Sequence, residues 1–313
     1  MVFSSSWPSG TGESFRPTYN QFSEYFKTKL RFLLHFTMKG RYPLNLQYFL
    51  DIPVILPGNI RRTYDLIVPQ FDSGSAPLLI WIHGGGWAEG EKRIGNSFER
   101  FCFRGYAVLS VDYRFSGDAP FPAQLIDCKT AVRWARAHAE QYRYNADRII
   151  VGGASAGGHL ASLMGTTNYT REFDLNDVYS EFPSNVQGVV TEYGPSDLMP
   201  LLFGNPEPAL KRRLLPMLKS ASTSLADMAA WASPITHITG NEPPFLITHG
   251  ADDPVVPVSQ SRNFYHALRE AGVNAVYYED PVGQHGFDSV GNYEAVTDFI
   301  LHHLPTSIGL STK

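Results

Sequence analysis

A serine, two aspartates and a histidine stand in short segments rich in glycine or proline, each directly after an apolar run of the chain. Ser155 lies in GGASAGG, Asp252 and Asp253 lie in HGADDPVVP, and His285 lies in PVGQHGF. A histidine bonded to a serine can take its proton while the hydroxyl attacks a carbonyl carbon, and a carboxylate can hold that histidine in the required tautomer. The chain order serine, acid, histidine therefore predicts nucleophilic attack by Ser155 with His285 as its base.

Two neighbouring aspartates compete for the role of the acid. Pro254 restricts the backbone of the residue before it to extended conformations, which gives Asp253 a fixed position from which to reach His285 Nδ1. Asp252 has no such constraint and is free to cap the turn or to face water. The local chemistry therefore favours Asp253.

Three successive glycines supply a second part of the predicted site, namely backbone N–H groups that a ligand can approach closely. The segment HGGGW, residues 83–87, directly follows the apolar run PLLIWI. Donors aimed at the oxygen on which negative charge develops typically lower a reaction barrier by ~3 kcal/mol each. We interpret the segment as a donor loop beside Ser155 rather than as a plain glycine-rich turn.

Alternating strands and helices after residue 60 must position these segments. Apolar runs and helical spacing predict strands over 77–82, 106–113, 149–151, 187–193, 244–250 and 275–279, and helices over 122–141, from 159, 259–271 and 293–304. The alternation predicts an α/β fold, a mostly parallel twisted sheet with helices on both faces. Such a sheet binds ligands beyond the carboxyl ends of its strands, which is where the reactive segments stand.

Two further segments depart from this alternation. Residues 196–233 are predicted to form short helices inserted over the sheet as a small cap. In the N-terminal segment, residues 1–45, apolar residues at helical spacing predict an amphipathic helix over about 20–39. This helix either packs over the mouth of the site or lies on a membrane surface. We assign residues 46–313 to a catalytic domain that includes the cap.

Composition limits the class of protein. The chain has 313 residues, of which 43% are hydrophobic and 18% are charged, as in an ordinary globular domain. A net charge of -4 argues against a nucleic-acid partner. Its two cysteines, Cys102 and Cys128, lack metal-ligand spacing and fit buried thiols in a reducing, cytoplasmic setting. We expect no metal and no cofactor.

Taken together, these segments resemble the α/β-hydrolase superfamily, in its hormone-sensitive-lipase-like esterase branch, and within it the bifunctional feruloyl and acetyl-xylan esterases. The motifs that carry the resemblance lie within about residues 76–288 and are HGGGWAEGEK, VDYRFSGDAPFPAQLID, GGASAGGHLASLMG, YGPSDL, HGADDPVVPVSQS and QHGF. The resemblance implies an α/β-hydrolase fold and hydrolysis of a small-molecule ester, with a short acyl or aryl group, through an acyl-enzyme. It selects Ser155, Asp253 and His285 as the triad.

The resemblance also implies an oxyanion hole formed by the backbone N–H groups of Gly85, Gly86 and Ala156. Trp87 is expected either to wall the substrate pocket or to pack beneath the glycine loop. Three other functions stay open. One is hydrolysis of amides or formamides, since arylformamidases use a similar loop and triad. The second is product release or cyclisation in a biosynthetic reaction, and the third is a binding role without catalysis.

Overall fold

The computed structural model describes residues 45–71, 75–93, 96–174, 178–204, 207–286 and 290–303. The helix expected over 20–39, and with it the choice between its two placements, lies outside these residues. Within the described part of the chain, no helix combines the length and the apolar character that a membrane crossing needs.

Eight strands of the described residues join into one sheet. They are β1 (Asn45–Leu56), β2 (Ile60–Gln70), β3 (Ala76–Ile82), β4 (Ala107–Val111), β5 (Tyr144–Ala154), β6 (Gly188–Glu192), β7 (Phe245–Gly250) and β8 (Ala275–Asp280). Their order across the sheet is β1-β2-β4-β3-β5-β6-β7-β8. β2 pairs antiparallel with β1 and β4, and all other neighbouring strands are parallel. The predicted mostly parallel sheet is confirmed.

The central strands form because their apolar runs are buried on both faces. Every residue of β4 and β7 is buried, and β3 is buried except at Trp81. Continuous apolar runs are typical of such parallel strands, and this is why the sequence locates them. β1 is largely exposed and its pairing with β2 shifts register between Phe49 and Ile52, so the hairpin lacks a clear alternating pattern and was not predicted.

Helices cover both faces of the sheet. They are α1 (Asn96–Cys102), α2 (Ala123–Ala137), α3 (Ala139–Tyr142), α4 (Ala156–Thr166), α5 (Leu198–Phe203), α6 (Pro208–Met217), α7 (Leu225–Trp231), α8 (Ser259–Glu270) and α9 (Val290–His303). Side chains of α1 and α9 form one buried layer with the sheet, and those of α2, α4 and α8 belong to a larger layer. The helix predicted over 122–141 is divided at His138 into α2 and α3.

The predicted short helices over the sheet are α5, α6 and α7, which lie between β6 and β7. Each begins at a side-chain cap, from Asp197, Glu207 and Ser224 respectively. At the base of this cap segment, the buried Gln260 of α8 accepts hydrogen bonds from the backbone N–H groups of Ser196 and Asp197, at 2.9 and 2.8 Å. The backbone N–H of Leu198 donates to the Ser233 hydroxyl at 2.8 Å, and that of Ile235 donates to the carbonyl of Ser196 at 3.1 Å. The two ends of the segment therefore meet beside Gln260.

Candidate active site

Ser155 occupies a strained turn between β5 and α4. Its φ is 55° and its ψ is -119°, a conformation that a residue with a side chain adopts only where its surroundings enforce it. A Cβ atom on Gly153 would overlap the carbonyl of Gly157, and one on Gly157 would overlap the carbonyl of Ile82 in β3. Glycine is needed on both sides because strand and helix approach so closely, and the result is that the Ser155 hydroxyl is presented at the edge of the sheet.

The structure brings Ser155, His285 and Asp253 into one hydrogen-bonded chain. Asp253 follows β7 and His285 follows β8, so both lie at the same carboxyl edge as Ser155. His285 Nε2 is 3.0 Å from Ser155 Oγ, and His285 Nδ1 is 2.8 Å from Asp253 Oδ2. Since an ionised carboxylate only accepts, Nδ1 carries the proton and Nε2 accepts from the hydroxyl. This is the tautomer that a general base requires.

The carboxylate of Asp253 is buried and fully bonded. Its Oδ1 accepts from the backbone N–H groups of Val255 and Val256, at 2.8 and 2.9 Å, and its Oδ2 lies 3.1 Å from His249 Nε2. Burial raises the pKa of Asp253, but the hydrogen bonds from His249, His285 and the two backbone amides outweigh it and hold the pKa well below its usual value. The group is therefore ionised at neutral pH. Asp252 is exposed.

The glycine loop passes directly beside the nucleophile. A Cβ on Gly84 would lie 3.3 Å from Ser155 Cβ, and both Gly85 and Gly86 have positive φ, at 114° and 58°. Ala156 is the first residue of α4, where backbone N–H groups have no partner within the helix. The structure thus places all three predicted oxyanion donors in segments that adjoin Ser155.

His83, the first residue of the glycine loop segment, holds the loop in its conformation. Its Nδ1 donates to the carbonyl of Gly84 at 2.6 Å, and its ring stacks on Tyr113 with centroids 4.5 Å apart. Burial lowers the pKa of His83, against the opposing effects of the Gly84 carbonyl and nearby acids. This neutral ring stabilises the turn.

Trp87 packs beneath the loop, the second of its two expected positions. Its side chain is 0% exposed, so the indole has no surface to offer a substrate in this structure. Its Nε1 donates to His159 Nδ1 at 3.1 Å, and His159 Nε2 donates to the carbonyl of Ala232 at 2.7 Å. Burial lowers the pKa of His159 to about 4, which keeps this bridging ring neutral. The expectation that Trp87 walls the pocket is therefore replaced by a packing role.

Sequence reasoning missed one aromatic residue beside the triad. Tyr193 follows β6, has a φ of 41°, and its ring meets that of His285 edge to face, with centroids 4.9 Å apart. Its position at the carboxyl end of the strand predicted over 187–193 was a usable signal. The sequence did not identify Tyr193 because a tyrosine in YGPSDL does not indicate a particular chemistry by its residue type alone.

The cap reaches the glycine loop through Arg213 of α6. A Cβ on Gly86 would lie 3.1 Å from Arg213 Cγ, so the alkyl part of this side chain covers the loop. The guanidinium is paired with Glu89 at 2.7 Å. The side chain of Arg213 therefore bounds the space above the predicted oxyanion hole.

Within the described residues, no group of three or more His, Cys, Asp or Glu side chains is arranged to hold a metal ion. The geometry on its own supports attack by a serine hydroxyl, assisted by a histidine, on a carbonyl carbon beside the glycine loop.

Comparison with known proteins gives the family. The sequence profile of the BD-FAE family matches residues 64–268. A Mycobacterium tuberculosis protein named "Probable carboxylic ester hydrolase LipM" is 35% identical over 237 residues, which are 72% of this chain and 53% of that protein. The chain thus spans about half the length of the curated relatives it matches.

Solved structures give the same fold. A bifunctional GH43-CE protein of Bacteroides eggerthii has a TM-score of 0.70 at 30% identity, covering 82% of this chain and 35% of that chain. A truncated carbohydrate esterase from gut microbiota has a TM-score of 0.68 at 26% identity, covering 83% of this chain and 97% of that chain.

Proposed function

Because the chain belongs to the BD-FAE family of α/β-hydrolases, we propose that it hydrolyses carboxylic esters of small molecules. The observation that carries the proposal is the continuous hydrogen-bonded chain from Ser155 Oγ through His285 to Asp253, at 3.0 and 2.8 Å. Relatives named as esterases support it.

In the proposed mechanism, Ser155 Oγ attacks the ester carbonyl carbon while its proton passes to His285 Nε2. The carbonyl oxygen becomes negative and accepts hydrogen bonds from the backbone N–H groups of the glycine loop and Ala156. His285 then gives its proton to the leaving oxygen, the bond to the alcohol breaks, and the acyl group stays on Ser155. Water, deprotonated by the same histidine, attacks this acyl-enzyme and releases the acid. Asp253 stabilises the imidazolium in both halves.

We propose short acyl groups as the preferred substrates. The alkyl part of Arg213 closes the space above Gly86, with its Cγ 3.1 Å from the position of a Cβ there. A long acyl chain that runs in this direction would have to displace the side chain and its pairing with Glu89. The neighbour named as a carbohydrate esterase favours sugar esters as the first natural esters to test. The resemblance to feruloyl and acetyl-xylan esterases selects acetylated and feruloylated sugars among them.

The test measures the rate of hydrolysis of four kinds of substrate. They are p-nitrophenyl esters of increasing acyl length, acetylated xylan, methyl ferulate and N-formylkynurenine. We expect the largest kcat/KM on acetyl to butyryl esters, and loss of turnover in Ser155→Ala. Faster turnover of N-formylkynurenine than of every ester would instead assign a formamidase. A maximum on decanoyl or longer esters would contradict the short-acyl proposal alone.

A further inference from the structure

A second serine–histidine pair bonds the carboxylate of Asp253 from within the protein core. His249, at the end of β7, lies with Nε2 3.1 Å from Asp253 Oδ2 and Nδ1 2.7 Å from the hydroxyl of Ser261 in α8. His249 is 0% exposed and Ser261 is 2% exposed. The oxygen that His285 contacts is thus shared by two histidines, each bonded in turn to a serine.

The surroundings of His249 determine its tautomer. Its Nε2 is close to two acceptors, Oδ2 of Asp253 and the carbonyl of Val256 at 2.9 Å. Neither can donate, so Nε2 carries the hydrogen. In the neutral ring Nδ1 is then an acceptor, and the hydroxyl of Ser261 supplies its donor. The neutral form of His249 satisfies all of these contacts at once, so the residue acts as a fixed N–H donor.

His249 supplies the fourth N–H group on the carboxylate. The backbone amides of Val255 and Val256 bond Oδ1, and the two imidazoles are the donors to Oδ2 among the described residues. The amides fix one end of the carboxylate, and its rotation about the Cβ–Cγ bond is restrained at the other end. Because His285 is partly exposed and must move charge during the reaction, the buried His249 is the constant partner of Oδ2.

We propose that His249, oriented by Ser261, is a positioning residue of the triad that holds Asp253 Oδ2 in line with His285 Nδ1. This role rests on the proposed function. It also sets how much of the carboxylate's negative charge is available to His285, since every donor to Oδ2 draws on the same lone pairs.

Two further ionisable side chains of the described residues lie beside this cluster. Tyr193, after β6, faces both histidines, with ring centroids 6.5 Å from His249 and 4.9 Å from His285. Glu279, the neighbour of His249 on β8, is bonded by Arg262 at 2.6 Å and by Tyr277 at 2.6 Å. Its charge is therefore compensated locally, and the effect of His249 on the triad passes through Asp253.

The test compares two substitutions of His249. His249→Leu removes the donor. His249→Gln keeps an amide N–H at about the distance of Nε2 from the backbone. We expect His249→Leu to lower kcat on p-nitrophenyl acetate by on the order of 100-fold with KM almost unchanged, the size of loss that a small misplacement of a catalytic group produces. His249→Gln should recover most of the activity.

A pH profile separates positioning from mere stability. In His249→Leu the carboxylate has one donor fewer and interacts more strongly with His285, so the acid limb of kcat/KM should move to higher pH. The matched control is Phe264→Leu, a buried change in α8 that should lower the melting temperature and leave the profile in place. A folded His249→Leu protein with wild-type kcat and profile would overturn the proposal. Equal losses in both His249 variants with an unmoved profile would also overturn it.

The rate of labelling by a fluorophosphonate, which reports the nucleophilicity of Ser155 without any ester substrate, distinguishes this proposal from the proposed function. A wild-type protein that is labelled but hydrolyses no ester contradicts ester hydrolysis, and the labelling rates of the two variants then decide the role of His249. A wild-type protein that is not labelled contradicts both.

Discussion

At the scale of single residues, the loop after β7 presents two adjacent carboxylates in opposite environments. Asp253 accepts two backbone and two imidazole N–H groups, whereas Asp252 is exposed and its backbone N–H donates to the carbonyl of Gly283 at 2.9 Å. Pro254, which constrains the residue before it, and the family resemblance both favoured Asp253 from the sequence, and it is Asp253 that lies 2.8 Å from His285 Nδ1 in the structure.

Neutralising each carboxylate in turn tests the assignment. We expect Asp253→Asn to reduce kcat on the order of ten-thousand-fold, because the amide cannot hold His285 in the required tautomer. Asp252→Asn should change kcat little. Circular dichroism should show both variants folded. If the larger loss belongs to Asp252→Asn, the triad acid has been assigned one residue too late.

Arg213 permits a second test at this scale. Arg213→Ala removes the side chain that covers Gly86, so the ratio of kcat/KM for hexanoyl over acetyl esters should rise. Glu89→Gln keeps that side chain and removes only an ion pair whose members are 37% and 65% exposed. Such pairs contribute little, so its ratio should stay near wild type. A similar shift in both variants would indicate that the ion pair, and not the volume of the side chain, sets the preference.

At the scale of elements, one buried histidine joins three segments that are far apart in the chain. His159 of α4 accepts from Trp87 of the glycine loop, 72 residues earlier, and donates to Ala232 after α7, 73 residues later. The sequence predicts each of these segments. It does not predict their connection, because a hydrogen bond between distant side chains leaves no periodic pattern in the chain.

The protonation of His159 links this connection to pH. Its pKa is about 4 in the folded protein, against 6.5 ordinarily, so between these values the unfolded chain binds the additional proton. The free energy of unfolding therefore decreases as pH falls from 6.5 towards 4, and the part due to His159 is at most ~3 kcal/mol. The urea midpoint of His159→Gln should vary less over this interval than that of wild type. The control, the exposed His266→Gln, should keep the wild-type slope, and equal slopes in all three proteins would contradict the prediction.

The difference between local patterns and contacts of distant residues explains how much of the fold could be predicted. β3, β4, β6 and β7 are apolar runs that were located closely, because burial on both faces leaves a continuous signal in the sequence. β5 extends over Tyr144–Ala154, well beyond the apolar residues 149–151 that predicted it, and β8 was located although only its two end residues are buried. β1, with its register shift, and the seven-residue α1 carry weak signals and were missed. The triad residues were identifiable by type and order. The positions of Trp87, His249 and Tyr193 depend on how the loops pack, which local sequence does not encode.

At the scale of the whole molecule, the sheet separates two buried layers, and each contains one cysteine. Cys102 lies in the layer of α1 and α9, and Cys128 lies in the layer of α2 and α4. Both are free thiols, and burial raises the pKa of each. The two residues are therefore natural probes of whether the layers open together.

We expect iodoacetamide to react very slowly with both thiols in the native protein and rapidly in denaturant. When reclosing is faster than reaction, each rate reports the free energy of opening. If the sheet and its two layers form one cooperative unit, the Cys102→Ala and Cys128→Ala proteins should give equal opening energies. Faster labelling of one thiol would show that its layer opens separately.

The anchoring of the cap by Gln260 has a consequence for how this protein can diversify. The Leu198 N–H donates to the Ser233 hydroxyl at 2.8 Å and the Ile235 N–H donates to the Ser196 carbonyl at 3.1 Å, so the chain between these residues leaves the sheet and returns to it at the same place. We expect insertions, deletions or replacements between these points to leave the strand order and the triad in place as long as the carbonyl of residue 232, which bonds His159, is kept. The segment is therefore a unit that can be exchanged as a whole, and we expect a grafted segment to change selectivity without rebuilding the catalytic machinery.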